Sequence, residues 1–208
     1  MRHIPATPTA KLNILPFGEA LREMGGSDYD RDRWLYVPDF YTEYRYILGT
    51  RGQRPLICIG VNPSTARPGA LDRTLQSVER LARFNGFDSF IMLNVYAQRA
   101  TLPSDLETDM NPALHRENME ALRHALSISG GVPTLWAAWG TVITQRPWLK
   151  DCVADMIRVG EEAGARWVKA GPCSKAGHPH HPLYLKGDTV LEDYDIRAYV
   201  ASLNTNGR

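Results

Sequence analysis

The chain has 208 residues, of which 43% are hydrophobic and 23% charged, a composition typical of a globular protein with one sizeable core. Its net charge of +1 argues against a strongly basic nucleic-acid coat, and no apolar run approaches the roughly 20 residues that cross a membrane. The N-terminus has no apolar segment of the signal-peptide type, and the three widely spaced cysteines favour a reducing compartment, so we expect a cytoplasmic protein.

Residues 1–54 have the weakest pattern in the chain. The stretches WLYVPDF and YTEYRYIL are rich in β-favouring aromatic residues, and Pro38 interrupts them. We therefore expect an N-terminal extension that contains β structure, either as a small antiparallel element or as extra edge strands.

From residue 55 onward, strand and helix patterns alternate. Continuous apolar runs predict buried strands at 55–61, 90–95, 133–139 and 166–170. Apolar residues at helical spacing, with capping residues at the ends, predict helices at 72–86, 111–126 and 148–164.

This alternation predicts an α/β fold, a three-layer sandwich around a four-stranded, mainly parallel sheet. We expect a single domain over residues 1–208, with the α/β core at 55–186 and a C-terminal tail at 187–208. In open parallel sheets, ligands bind beyond the carboxyl ends of the strands. Polar, glycine and proline residues follow all the predicted strands at that edge, and we therefore expect a binding site there.

The first strand end, at residues 62–65, reads Asn-Pro-Ser-Thr. Asn62 before proline is common in plain turns, but its amide also offers one acceptor and two donors, enough to hold a water or read a base edge. Ser64 and Thr65 could be helix N-caps, or could present hydroxyl and backbone N–H groups to a phosphate. The residues alone leave both alternatives open.

The second predicted strand runs into Asn94, whose buried amide must find partners in neighbouring loops or in a ligand. Arg99 follows shortly after. It could bind a phosphate or a substrate carboxylate, or it could pair with Asp105 or Glu107.

The third strand ends in Trp139 and Gly140. Glycine permits a close backbone approach, whereas tryptophan is more often a core residue than a stacking platform. The fourth strand leads to a histidine-rich loop at 178–181, downstream of Cys173. Its spacing fits no common zinc pattern, so we expect no metal. One of its histidines could act as an acid or stabilise developing negative charge, with the others as solvated loop residues.

Several enzyme classes lack their usual motifs in this chain. It contains no Gly-x-Ser-x-Gly elbow, no Walker Gly-Lys-Ser/Thr loop and no Gly-x-Gly-x-x-Gly fingerprint. Serine-hydrolase, P-loop and dinucleotide redox chemistry therefore have no support from the sequence, and we expect no cofactor.

Together the strand ends resemble two known families. The chain is identified as a member of the domain of unknown function 1643 family by NPSTA (62–66), DRT (72–74), NVYAQRAT (94–101), AWG (138–140) and GHPHHPLYL (177–185). More distantly, residues 55–186 resemble the uracil-DNA glycosylase superfamily. In that comparison, residues 60–63 are similar to its Gly-Ile-Asn-Pro segment, and residues 178–183 take the place of its His-Pro-Ser-Pro-Leu loop.

The glycosylase resemblance implies a role for each strand end. Asn62 would position water, or contact the leaving group, at the anomeric carbon. Asn94 would read the base edge, and His178 or His181 would stabilise charge on the departing base. The expected substrate-binding residues include Ser64, Thr65, Arg73 and Arg99 for phosphate, and Leu183 or Tyr184 as a wedge into a duplex. The other expected substrate-binding residues are Pro63, Tyr96, Trp139 and Gly140.

The sequence also departs from the glycosylase pattern. Ser64 stands where the motif has glycine, and Asn62 where another branch has a water-activating aspartate. We expect a nucleobase, nucleotide or DNA ligand, short or single-stranded because duplex affinity depends on neutralising phosphates, and no membrane partner. The expected reaction is N-glycosidic hydrolysis. A non-catalytic binding module and a base-modifying enzyme are the alternatives, and the sequence leaves the oligomeric state open.

Overall fold

The central sheet is mixed and has seven strands over residues 2–23 and 28–205, which are the residues that the computed structural model describes. The order across the sheet is β1-β2-β4-β3-β5-β6-β7. The strands are β1 Trp34–Val37, β2 Ile47–Thr50, β3 Pro55–Gly60, β4 Ser89–Asn94, β5 Thr134–Ala137, β6 Arg166–Ala170 and β7 Leu191–Asp193.

The four predicted strands form the parallel centre of this sheet, as β4-β3-β5-β6. The prediction of a four-stranded sheet is nevertheless wrong in extent. Antiparallel β1 and β2 extend one edge from the N-terminal segment, and β7 extends the other from the C-terminal tail. A strand of three residues such as β7 has too little sequence to display a period, and only pairing with β6 defines it.

The three predicted helices begin and end close to their predicted positions, whereas the first and last helices of the described residues were not predicted. Over the described residues the helices are α1 Phe17–Arg22, α2 Arg73–Phe84, α3 Pro112–Ser127, α4 Leu149–Glu162 and α5 Ile196–Thr205. Asp72 caps α2 by accepting a hydrogen bond from the Leu75 N–H at 2.9 Å, and Asn111 caps α3 in the same way through the N–H groups of Ala113 and Leu114. No helix among the described residues is long and apolar enough to span a bilayer.

The helices divide into two layers. The buried face of α2 packs on one side of the sheet, against residues such as Cys58 and Trp136. The buried residues of α1, α3, α4 and α5 pack on the other side, which gives three layers. The chain passes from β3 to β4 on one side and then returns to place β5 on the other. Such a reversal of strand order leaves a crevice at the carboxyl ends of β3 and β5, where ligands of open α/β sheets bind.

Candidate functional site

A cleft of about 680 Å³ lies at the carboxyl ends of the parallel strands, on the α2 side of the sheet. Most of the sequence-predicted site residues line it: Asn62, Pro63, Ser64, Thr65, Arg73, Asn94, Gly140, His181, Leu183 and Tyr184. The remaining predicted residues, Tyr96, Arg99, Trp139 and His178, are buried outside the lining. The cleft volume is in the range of small-molecule sites in proteins.

Asn94 forms part of the cleft floor, and its side chain has no hydrogen-bond partner among the residues that the structure describes. It is 1% exposed, and within the described residues neither Oδ1 nor Nδ2 finds a donor or acceptor. Its main chain is held in place, because Asn118 Nδ2 donates to the Asn94 carbonyl at 2.8 Å. Buried amides are normally satisfied, so the Asn94 side chain stands out among the residues that line the cleft.

Asn62 has a fixed orientation beside the cleft. Its Nδ2 donates to the carbonyl oxygens of Ala100 at 2.6 Å and Pro63 at 3.1 Å. Both amide hydrogens are therefore used by the protein. The Oδ1 atom has no hydrogen bond within the described part of the chain, and it is available as an acceptor.

Gly140 leaves room for His181 to lie against the end of β5. A β-carbon at Gly140, whose φ is +63°, would lie 3.3 Å from His181 Cβ, so glycine is needed there both for the backbone conformation and for space. The Nδ1 atom of His181 accepts a hydrogen bond from the Leu183 N–H at 3.3 Å. Burial lowers the pKa of His181, although Asp72 acts in the opposite direction. The neutral ring thus carries its proton on Nε2, as a hydrogen-bond donor.

His178 and Trp139 belong to a buried network behind the cleft. Trp139 Nε1 donates to the Tyr199 hydroxyl at 2.9 Å, and the Tyr199 hydroxyl lies 3.0 Å from His178 Nδ1. Burial lowers the pKa of His178, with a smaller contribution in the same direction from Lys150. This network ties α5 to the ends of β5 and of the histidine loop, which is a structural arrangement.

Arg99 and Tyr96 also make internal contacts. Arg99 donates to the carbonyl oxygens of Ser64 and Ala66 and to the Tyr36 hydroxyl, and within the described residues it forms no ion pair with either of its predicted carboxylate partners. The Tyr96 hydroxyl donates to Glu107 and accepts from the Asn111 N–H. Both side chains therefore hold the loops around the cleft.

Sequence reasoning did not assign Arg45 or Asp72 to the site, yet both line the cleft. Arg45 is 1% exposed and donates from Nη1 to the Ala66 carbonyl at 3.1 Å. Burial, with a contribution from the nearby Arg99, lowers the pKa of Arg45 to about 9. The signal was present in the sequence, since Arg45 interrupts the aromatic run Tyr44-Arg45-Tyr46 of a predicted β segment. Asp72 was recognised only as a helix cap.

The described part of the chain contains no group of three or more His, Cys, Asp or Glu side chains placed to hold a metal ion. The histidine loop illustrates the reason. One ring of the loop, His178, points into the buried network with Tyr199, whereas His180 and His181 line the cleft.

Comparison with known proteins gives one family. The family of proteins of unknown function DUF1643 matches residues 45–183, two thirds of the chain. The chain belongs to DUF1643. No curated protein and no solved structure matches it.

The DUF1643 match begins at Arg45 and ends at Leu183, both of which line the cleft. It includes all four parallel strands and excludes β1, β7 and α5. All of the residues that line the cleft except Tyr184 therefore lie in the matched part of the chain.

Proposed function

We propose that this DUF1643 protein binds a nucleobase or nucleotide in the cleft and hydrolyses its N-glycosidic bond, in the manner implied by its resemblance to uracil-DNA glycosylases. The single observation that carries the proposal is the unsatisfied side-chain amide of Asn94 at the cleft floor. The three-layer arrangement around a parallel centre is consistent with a uracil-DNA glycosylase-like fold.

An amide presents a donor and an acceptor side by side. The edge of uracil presents the complementary pair, a ring N–H beside a carbonyl oxygen, and other bases carry similar pairs. Leaving a buried polar group unpaired costs about 1–3 kcal/mol. A base that pairs with Asn94 recovers this free energy, and a base without the complementary pair does not. Asn94 therefore supports recognition of a base by its edge.

The orientation of Asn62 supports a role in placing water. Because its amide hydrogens are committed to Ala100 and Pro63, its Oδ1 accepts a hydrogen bond from a water molecule in the cleft. In the proposed reaction, the water oxygen bonds to the anomeric carbon while the carbon–nitrogen bond breaks and its electron pair passes to the base. The proton that the water loses passes to solvent. Asn62 orients the water but takes no proton.

The donor for the departing base is His181. Its neutral ring carries the proton on Nε2 and lines the cleft. A hydrogen bond from this N–H to a base oxygen stabilises the negative charge that the base gains as the bond breaks. Leu183 and Tyr184, which are 41% and 78% exposed at the cleft rim, would contact neighbouring bases of a short or single strand.

A non-catalytic binding module is the second candidate, and one observation favours it. Asp72 is the only carboxylate that lines the cleft within the described residues, and it is engaged as the N-cap of α2. Among the described residues, the cleft therefore has no carboxylate free of a structural role that could accept a proton from water. A binding module needs Asn94 and the cleft but no such group.

Base release from a panel of oligonucleotides tests the proposal. Single and double strands would carry uracil, mismatched thymine, hypoxanthine or hydroxymethyluracil. We expect an abasic product whose rate of formation falls by about 10²–10³ in Asn62→Ala. Asn13→Ala, an exposed asparagine outside the cleft, is the matched control and should retain the full rate.

Three other outcomes have separate meanings. Binding that depends on Asn94 without any abasic product would contradict hydrolysis and favour the binding module. A modified base that stays attached to its sugar would instead indicate a base-modifying enzyme. Failure of every base, nucleoside and nucleotide to bind would refute the proposal as a whole.

A further inference from the structure

Two arginines are buried together beside the cleft without a carboxylate partner. Arg45 is 1% and Arg99 0% exposed. Both direct Nη1 at one oxygen, the carbonyl of Ala66, at 3.1 Å and 3.4 Å. Within the described residues, no Asp or Glu oxygen lies within ion-pair distance of either guanidinium. The Nε atoms of both are buried and have no hydrogen-bond partner there.

This arrangement is costly for a protein without a ligand. Buried charges are normally paired, because removing a charge from water costs far more free energy than a few neutral hydrogen bonds return. Here two like charges lie close enough to share one carbonyl oxygen. Neighbouring phenols, such as that of Tyr36, supply polar contacts but no negative charge at neutral pH. The carboxylates of Asp72 and Glu43 attract Arg45 and Arg99, respectively, from beyond ion-pair distance. Among the described residues neither guanidinium has an anion in direct contact, and a bound anion would supply one.

The position of Arg45 determines where such an anion would bind. Arg45 lines the cleft, whereas Arg99 lies behind it and holds the carbonyl groups of Ser64 and Ala66. The hydroxyl-bearing residues Ser64, Thr65 and Thr101 line the same cleft and could donate hydrogen bonds to oxyanions. Asp72 also lines the cleft: its Oδ1 caps α2, and its negative charge attracts Arg45.

We propose that Arg45, supported by the charge of Arg99, anchors the terminal phosphate of a mononucleotide whose base is read by Asn94. This inference rests on the proposed function and narrows its ligand from any nucleobase compound to a phosphate monoester. A phosphate monoester carries nearly two negative charges at neutral pH, which matches the two guanidinium charges. A nucleoside would leave both charges uncompensated.

Arg73 is the alternative phosphate ligand, and its environment is less favourable. It lines the cleft but is exposed to solvent, where an ion pair contributes little. Arg45 is enclosed by protein, where the lower dielectric strengthens its attraction to an anion. Removal of Arg45 should therefore weaken phosphate binding more than removal of Arg73.

Binding of matched nucleosides and 5′-monophosphates tests the inference. Isothermal titration with the wild-type protein should give at least about tenfold tighter binding for the monophosphates, equivalent to ~1.4 kcal/mol. Inorganic phosphate should compete with the monophosphate. In Arg45→Met the monophosphate should bind no more tightly than its nucleoside. Arg73→Met should keep most of the difference in affinity between monophosphate and nucleoside. Arg123→Met, at an exposed position of α3, should keep all of it.

The folding of Arg45→Met is checked by thermal unfolding without ligand. We expect a stability equal to or above that of the wild type, because an unpaired charge is removed while Arg99 still donates to the Ala66 carbonyl. If Arg45→Met does not fold, Arg45→Lys is the second variant, because lysine retains the positive charge but lacks the planar guanidinium group. It should bind the monophosphate more weakly than the wild type does.

The outcomes separate this inference from the proposed function. Nucleosides that bind as tightly as their monophosphates, with no competition from phosphate, would overturn the phosphate anchor and leave nucleobase binding intact. Phosphate binding that depends on Arg45, with no effect of any base, would retain the anchor and refute the proposed function. A 5′-phosphorylated oligonucleotide that binds more tightly than the mononucleotide would place the phosphate on a strand end and overturn the mononucleotide assignment.

Discussion

Gly60 and Asn94 are paired neighbours at the carboxyl ends of β3 and β4. A β-carbon at Gly60 would lie 3.1 Å from Asn94 Oδ1 and 2.5 Å from the terminal methyl group of Met92. The absence of a side chain at Gly60 therefore keeps the amide of Asn94 in its present place at the cleft floor. The proposed recognition of a base by Asn94 therefore depends on this glycine.

Gly60→Ala should impair ligand binding more than folding. The Met92 methyl group is the end of a flexible chain and can move, whereas the Asn94 amide would be displaced from its present position. We expect a stability loss of about 1–3 kcal/mol from overpacking. Affinity for the ligand should fall by about tenfold or more, ~1.4 kcal/mol. Urea unfolding and calorimetric titration of the same preparation measure both, and unchanged affinity would contradict the placement of Asn94 as a ligand contact.

Asn94→Leu should abolish ligand binding and leave the protein as stable as the wild type or more stable. The substitution removes two buried polar atoms that have no partner among the described residues, which cost about 1–3 kcal/mol in the free protein.

Asn118→Leu is the matched comparison for Asn94→Leu. Its Nδ2 donates to the carbonyl groups of Asn94 and Val95, so its loss should destabilise the protein by about 1–3 kcal/mol. Thermal unfolding of the two variants should therefore move in opposite directions. Equal destabilisation of both would mean that the Asn94 amide is satisfied in the free protein.

Tyr199→Phe should lower stability without affecting the cleft. The hydroxyl of Tyr199 serves both Trp139 Nε1 and His178 Nδ1, and its removal leaves these two buried nitrogens without partners. We expect a loss of about 1–3 kcal/mol in the free energy of unfolding. Ligand affinity should remain that of the wild type, since none of the three side chains lines the cleft. A large drop in affinity would restore a direct role for His178.

Acidification should destabilise the protein in the range where histidines titrate. Burial lowers the pKa of His124, His178 and His181, with small additional effects of neighbouring charges. Below the unfolded pKa of about 6.5, the unfolded chain takes up protons at these residues before the folded protein does. The contribution of these histidines to stability is therefore fully present above that pH. It is lost as the pH decreases towards their lower pKa values in the folded protein.

Urea unfolding at several pH values between about 7 and 5 measures this loss. His181→Gln should show a smaller dependence than the wild type over the same range. A stability that does not change in this range, or that rises on acidification, would contradict the burial of these rings as neutral side chains. Asp88 and Asp155 also have lowered pKa values, but their contribution is lost only below about pH 4.

The alternation of continuous apolar runs with apolar residues at helical spacing was enough to predict the central fold from the sequence. The stretch PLICIG is apolar on both faces because both faces are covered, and this is visible in sequence as a continuous run. The caps Asp72 and Asn111 were recognisable because capping is a local interaction between a side chain and the next turn. The predicted cleft followed from the rule that parallel strands end on the same edge.

The tertiary structure decided which polar residues face the cleft and which hold its walls. Asn94 and Asn118 are both buried asparagines. Among the described residues neither polar atom of the Asn94 side chain has a partner, whereas Asn118 Nδ2 secures a main chain and only its Oδ1 is unpartnered. Arg99 and Arg45 both donate to the Ala66 carbonyl, yet only Arg45 lines the cleft. Hydrogen-bond partners that are distant in sequence make this difference. A single sequence shows residue types and local periods, but such long-range pairing is fixed only when the chain has folded.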